Sequence, residues 1–330
     1  MSARWDHREL LQPITPDHPC GESLEDTQLL ASFDVFRLFG QPLPTDPAPE
    51  WNVIRTQALE ALGKSKDLRL LAYLGSAVLR TDGLQAFTET LSIASQWLQT
   101  YWSQTYPLVD EDAILRRNAL NCFADPMVVI DGLRRLPLVS SRAHGTFCLR
   151  DFELASGQVS PRDGTPAPDE DRIKAAFAEM PLDELTRLHD SVVGGRGAVR
   201  QIDATMREAA GSEATPSFDL LSAQLEKMER VLRAQVDVRE DATSVGSLEG
   251  GAAAPLQAGR VGPINSRQDS INALEAVADF FRRTEPSSPI PLLLERAKRL
   301  VSKDFLEVLA DIAPDGVAQA RAAGGLRLGE

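Results

Sequence analysis

Basic residues are in short supply in this chain: 35 Lys and Arg face 48 Asp and Glu, for a formal net charge of -13 and a pI near 4.9. A binder of phosphate backbones draws its affinity from clustered Lys and Arg, so nucleic acid is not an expected partner. Long apolar runs are missing as well. No stretch approaches the roughly twenty residues of a membrane span, and the polar opening Met1 to His7 does not read as a signal peptide, so no membrane insertion and a cytoplasmic location are expected. Cysteine is scarce. Cys20, Cys122 and Cys148 are odd in number and far apart, which argues against a disulfide framework or a Cys-x-x-Cys zinc site.

Histidine is nearly as rare. His7, His18, His144 and His189 fall in no spacing that puts two ligands on one helix face. There is no Gly-x-Ser-x-Gly elbow, Walker loop or dinucleotide fingerprint. Gly194-Gly195-Arg196-Gly197 resembles a phosphate loop only superficially, since no strand precedes it and no Lys-Ser or Lys-Thr follows; a glycine break or kink in a helix is the plainer reading. Cys148 with His144 is the nearest thing to a nucleophile pair, set against the commoner role of cysteine as a core residue. No cofactor, no metal and no enzyme are expected.

What is present is helical periodicity. After an irregular lead-in with Pro13, Pro16, Pro19 and Gly21, a short amphipathic helix is expected over Leu29 to Phe39, and four prolines then break the chain before Trp51. Three helices follow, from Trp51, from about Asp67 and from Leu84 to about Trp102, joined by short links that favour an antiparallel bundle. Tyr101, Trp102 and Tyr106 stand beside Asp110-Glu111-Asp112, which reads either as a cradle for a cationic peptide or a metal, or as core aromatics at a helix end. Phe147 to Leu154 alternates apolar and polar residues and is the only plausible strand, an extended edge on an all-α domain. The N-terminal domain is drawn at residues 1–155. A middle helical region spans 156–238, with a hairpin of two long helices, about Asp183 to Ala210 and Ser217 to Val236. Gly- and Ala-rich residues 239–263 read as a flexible linker, residues 264–320 as a C-terminal helical unit, and 321–330 as a tail.

The C-terminal unit carries the densest helix signals. Ser266 and Asp269 cap a helix on Ile271, Leu274, Val277, Ala278 and Phe281; Ser288-Pro289 starts a second on Ile290, Leu293, Leu294, Ala297, Leu300 and Val301; a third is expected from Asp304 to Ala313 on Phe305, Val308, Leu309 and Ile312. So small a unit has few ways to bury three apolar stripes alone, and self-association is the economical answer. Arg296, Arg299 and Lys303 share one face, and Asp304, Glu307 and Asp311 share another. These faces either meet head to tail between subunits, closing a ring, or are solvated. The interface is expected to use Phe281, Ile290, Leu293, Leu294, Ala297, Arg299, Phe305, Glu307 and Leu309.

The same residues carry a resemblance. Ser266-Arg-Gln-Asp-Ser-Ile, Phe280-Phe-Arg-Arg-Thr-Glu-Pro-Ser-Ser-Pro-Ile-Pro-Leu-Leu-Leu-Glu-Arg-Ala and Asp311-Ile-Ala-Pro-Asp resemble the C-terminal signature of the TssA, or ImpA-related, family of bacterial type VI secretion systems. Over about residues 8 to 135 the chain is similar to the family's ImpA-type domain, in Pro19-Cys-Gly-Glu-Ser-Leu, Trp51-Asn-Val-Ile-Arg, Ser65-Lys-Asp-Leu-Arg-Leu, Tyr101-Trp102 and Arg116-Arg-Asn-Ala-Leu; it departs at Tyr106, where members often carry histidine. The resemblance implies a cytoplasmic, non-enzymatic assembly protein of the shorter, baseplate-associated class, whose C-terminal region forms a ring-shaped homo-oligomer and whose partners are baseplate, contractile sheath and tube proteins. A different reading of the residues is a generic helical adaptor that binds a peptide through its N-terminal bundle and dimerises through its C-terminal helices.

Overall fold

A computed structural model describes residues 7–46, 48–109, 113–159, 168–246, 267–284 and 289–301. The described chain divides into two units, Met1–Glu249 and Gly250–Glu330.

The first unit is helical with one small hairpin of strands. Its lead-in holds two short helices, α1 (His7–Leu11) and α2 (Gln28–Ala31), the latter capped by the Thr27 hydroxyl, which accepts from the Leu30 amide. The expected helix over Leu29 to Phe39 does not run through. A 3-10 turn, Ser32–Phe36, follows α2, and Arg37 adopts a left-handed φ of 48°, a conformation that ends helices. The bundle proper is α3 (Trp51–Leu62), α4 (Leu68–Thr81) and α5 (Leu84–Thr100). Asp67 starts α4 as an N-cap, accepting from the Arg69 amide at 2.8 Å, which satisfies one of the orphan donors of the first turn. α6 (Ile114–Asn121) follows, then a single π turn at Pro126–Ile130 and α7 (Asp131–Arg135). The Asp125 carboxylate accepts from the amides of Met127 and Val128 through one oxygen and from Gly40 through the other, and so pins the lead-in to the bundle.

The strand expectation is corrected in part. Gly145–Cys148 is strand β2, but Leu149 to Leu154 is helical, within α8 (Leu149–Ala155), because the Cys148 amide donates to the Asp151 carboxylate and starts a helix there. β2 also has a partner, the antiparallel strand β1 (Pro137–Ser141), with Val139 opposite Phe147. A local sequence pattern does not reveal such a pairing when the partner is five residues long and opens on a proline.

Next come α9 (Glu170–Glu179), unforeseen in the sequence, then α10 (Leu182–Ala210) and α11 (Asp219–Gly246). The expected glycine break at Gly194 to Gly197 does not occur; α10 passes through it. Gly195 lies against α5, where a Cβ would come within 2.7 Å of Thr88 Cγ2, so this glycine serves a close approach of two helices and not a kink. α11 runs to Gly246, so the linker drawn from residue 239 begins inside a helix. Arg239 donates to the carbonyls of Phe177, Ala178 and Met180 and closes the C-terminal end of α9. Residues 247–266 lie outside the described residues.

Nor does the core divide at residue 155. One cluster of buried apolar side chains includes Leu74, Phe87 and Trp97 of the bundle together with Val192, Ile202, Leu225 and Leu232 of the long hairpin. Polar links cross the same line. Glu153 on α8, almost fully buried, accepts from Lys227 on α11 at 2.9 Å and pairs with Arg134 on α7; Arg196 on α10 pairs with Glu229 on α11; and Arg117 on α6 donates to the Glu213 carbonyl. Lys227 and Arg134 outweigh the upward push of burial and hold the Glu153 carboxyl below its ordinary range.

The second unit shows two helices, α12 (Arg267–Thr284) and α13 (Ile290–Val301), packed on each other as an antiparallel hairpin. The third helix expected from Asp304 lies outside the described residues.

Candidate functional site

Two regions gather the residues singled out in the sequence. The first is a polar knot inside the bundle. Lys66, 1% exposed, donates through Nζ to the carbonyls of Leu10 at 2.6 Å and Gln12 at 2.7 Å, and its ammonium lies 5.1 Å from the Trp97 ring and 6.0 Å from that of Tyr101. Trp97 Nε1 donates to the same Leu10 carbonyl at 2.9 Å. Burial pushes the Lys66 amine down to about 8. Arg116, fully buried, donates to the carbonyls of Trp102, Thr105 and Pro107 while its guanidinium stacks 4.7 Å from the Trp102 ring. Gly21 completes the knot. At φ +73° it pairs with Ser65, and a Cβ there would stand 2.0 Å from the Lys64 carbonyl oxygen, so only glycine fits.

The knot is a set of staples for irregular backbone. A loop cannot satisfy its own carbonyls as a helix does, and a buried cation with several donors does it at the least cost in shape. The Tyr101 and Trp102 rings therefore hold cations of their own chain, which replaces the notion of a cradle for a foreign one; Asp110, Glu111 and Asp112 lie outside the described residues. Trp51 acts likewise at the other end of the bundle, holding Arg80, which donates to the Val128 carbonyl. Arg55 pairs with Asp82 at 2.9 Å, and the Arg80 guanidinium lies 5.0 Å from the Trp51 ring.

The cysteine chemistry weighed in the sequence finds no support in the geometry. Cys148 caps α8, burial pushes its thiol up, and His144 faces Glu179 at 3.5 Å. Burial also raises the thiols of Cys20 and Cys122, the latter to about 12. Among the described residues no group of three or more His, Cys, Asp and Glu is placed to hold a metal ion, and no helix is long and apolar enough to cross a membrane.

The second region is the α12–α13 hairpin. Ala273 and Ala278 are buried, and Ile271, Leu274, Phe281, Ile290, Leu294 and Ala297 are half-buried. Arg282 pairs with Glu295 at 2.6 Å and Lys298 with Glu275 at 3.0 Å, so much of the charge flanking the apolar contact is matched within the hairpin. Other apolar side chains face solvent: Phe280 is 51% exposed, Leu292 76% and Leu293 63%. Leu293 thus departs from Leu294 and Ala297, with which the helical spacing grouped it. Phe305, Glu307, Leu309 and the side chain of Arg299 lie outside the described residues.

Residues 11–125 match the family profile described as ImpA, N-terminal, type VI secretion system. The chain is 32% identical over 338 aligned residues to the type VI secretion system component TssA1 of Pseudomonas aeruginosa, an alignment covering 94% of this chain and 95% of that protein. A solved structure of the N-terminal domain that includes the conserved ImpA_N region of a TssA component, from Burkholderia cenocepacia, matches with a TM-score of 0.56 at 23% identity and covers 70% of this chain and 93% of that one.

Proposed function

This chain belongs to the TssA family of type VI secretion system components, and from that premise we propose that it is a non-enzymatic assembly protein of the cytoplasm, whose C-terminal helices associate into a ring-shaped homo-oligomer contacting the baseplate, the contractile sheath or the tube. The observation that carries the self-association is the exposure of Leu292 and Leu293, two large apolar side chains side by side in the sequence of α13. Burying each against a neighbouring subunit would contribute about 1.5–3 kcal/mol, well above the roughly 0–1 kcal/mol of an exposed ion pair. Apolar contact therefore decides whether subunits associate, and charge decides how they align.

Sedimentation of the full chain tests this. The unaltered chain should form a large closed oligomer, whereas a dimer would favour the generic adaptor. Leu293→Asp places a carboxylate where the isolated hairpin is exposed, so it should reduce the particle to protomers while helicity stays unchanged. An unchanged oligomer would remove Leu293 from the interface. Leu294→Asp is the blunter change, because Leu294 is already half-buried within a subunit. Mixing the purified chain with purified baseplate, sheath and tube proteins, and measuring co-sedimentation, tests the partner side of the reading.

A further inference from the structure

A groove on the first unit, about 640 Å³, opens between the α2 segment and the face of α4 and is lined by side chains of Leu30, Asp34, Phe39, Arg69, Tyr73 and Cys122 among others. Its floor is aromatic. The Tyr73 ring lies 4.9 Å from Phe33 and 4.9 Å from Phe39, with Phe36 at 6.4 Å, so the tyrosine is held in place from several sides. Its hydroxyl has no hydrogen-bond partner among the described residues, and burial together with the Asp34 carboxylate pushes its pKa up, which keeps it a neutral donor.

The rim is acidic. Glu25, Asp26 and Asp34 line the opening, and Arg69 is the single cation there. That cation is already taken: its guanidinium donates to both carboxylate oxygens of Asp67 and pairs with Glu25 at 2.7 Å. Asp26 and Asp34 are exposed and have no side-chain partner among the described residues. A side chain suited to this site carries a positive head for the two carboxylates and an apolar stem for the rings, the amphipathic form of Arg and Lys.

We propose that this groove docks a peptide segment of another protein that presents an arginine or lysine between apolar residues, the cation meeting Asp26 and Asp34 and the flanking side chains packing on Leu30, Phe39 and Tyr73. The proposal stands apart from ring formation, which concerns the other unit.

Random short peptides displayed on phage, panned against the immobilised full chain, test it. The peptides recovered should share a basic residue flanked by apolar ones. A representative, synthesised with a fluorescent label, should show anisotropy-measured binding that weakens with added salt and drops about tenfold in Asp26→Asn/Asp34→Lys. Both changes sit at exposed positions, and asparagine tolerates the left-handed φ of 60° at Asp26. Glu208→Lys, an exposed change on α10, should leave binding unaltered. Circular dichroism confirms that the double variant is folded, and replacing the peptide's basic residue by glutamine should reproduce the loss in the unaltered chain. Recovery of no peptide, the result expected if a second copy or one of the chain's own segments fills the groove, would overturn the proposal. So would peptides without a basic residue, or binding equal in the double variant.

Discussion

Lys66 shows how much one side chain can carry in a loop-rich region. The lead-in before α3 is too irregular to satisfy its own carbonyls, and Lys66 reaches out of the bundle to those of Leu10 and Gln12. In Lys66→Met the Leu10 carbonyl keeps Trp97 as a donor but the Gln12 carbonyl loses this partner, so a loss of about 1–3 kcal/mol is expected in urea unfolding. The pH dependence has a definite sign. The amine titrates near 8 in the folded protein and near 10.4 in an unfolded chain. Between those values the unfolded chain holds more protons, so the stability of the unaltered protein rises with pH, by up to about 3 kcal/mol. Measured against Lys66→Met, which removes this titration and leaves the others, the difference should be flat below pH 8 and grow above it. A difference that shrinks with pH would mean that the cation's contacts outweigh its burial.

Helices meet closely where the sequence supplies glycine, and α10 separates two uses of that residue within one run. Gly194 and Gly197 have open space where a Cβ would stand, whereas at Gly195 the Cβ would press on Thr88 of α5 at 2.7 Å. Replacing a helix-interior glycine by alanine ordinarily stabilises by roughly 0.5–1 kcal/mol. Gly194→Ala should do so, raising the melting temperature. Gly195→Ala should lower it, since overpacking typically costs about 1–3 kcal/mol, and Thr88→Ala in the same chain should recover part of the loss. If the two alanines had the same effect, the close approach of α5 and α10 would be in error.

In the whole first unit the chain divides after the long hairpin and not before it. Because α5 packs on α10 and Glu153 is tied to Lys227, a fragment ending at residue 155 keeps the bundle but exposes the apolar faces that α10 and α11 cover. That fragment should melt at a lower temperature than one ending at 249 and should tend to aggregate. Equal melting curves, followed by circular dichroism, would restore a boundary at 155. Glu153→Gln gives the same comparison inside the full chain. It removes the charge that matches Lys227 and Arg134, and because both cations are partly exposed the expected loss is about 1–3 kcal/mol.

The sequence by itself determined what is local or compositional. Apolar spacing placed α3, α4, α5, α10, α12 and α13. The signatures at both ends identified the family. Two exceptions to local legibility were themselves local: Asp151 starts α8 inside an alternating run, and α9 announces itself only by the Asp169 cap and the acidic first turn behind it. Tertiary structure decided what depends on residues far apart in the chain. It paired β1 with β2, turned Gly195 from a break into a contact, and made Lys66 and Arg116 into internal staples where spacing alone shows only charge. It also joined residues 1–155 and 156–246 in one core. Each of these outcomes rests on which surfaces come together and lose water, and the free energy of that burial belongs to the pair of surfaces, not to either stretch of sequence.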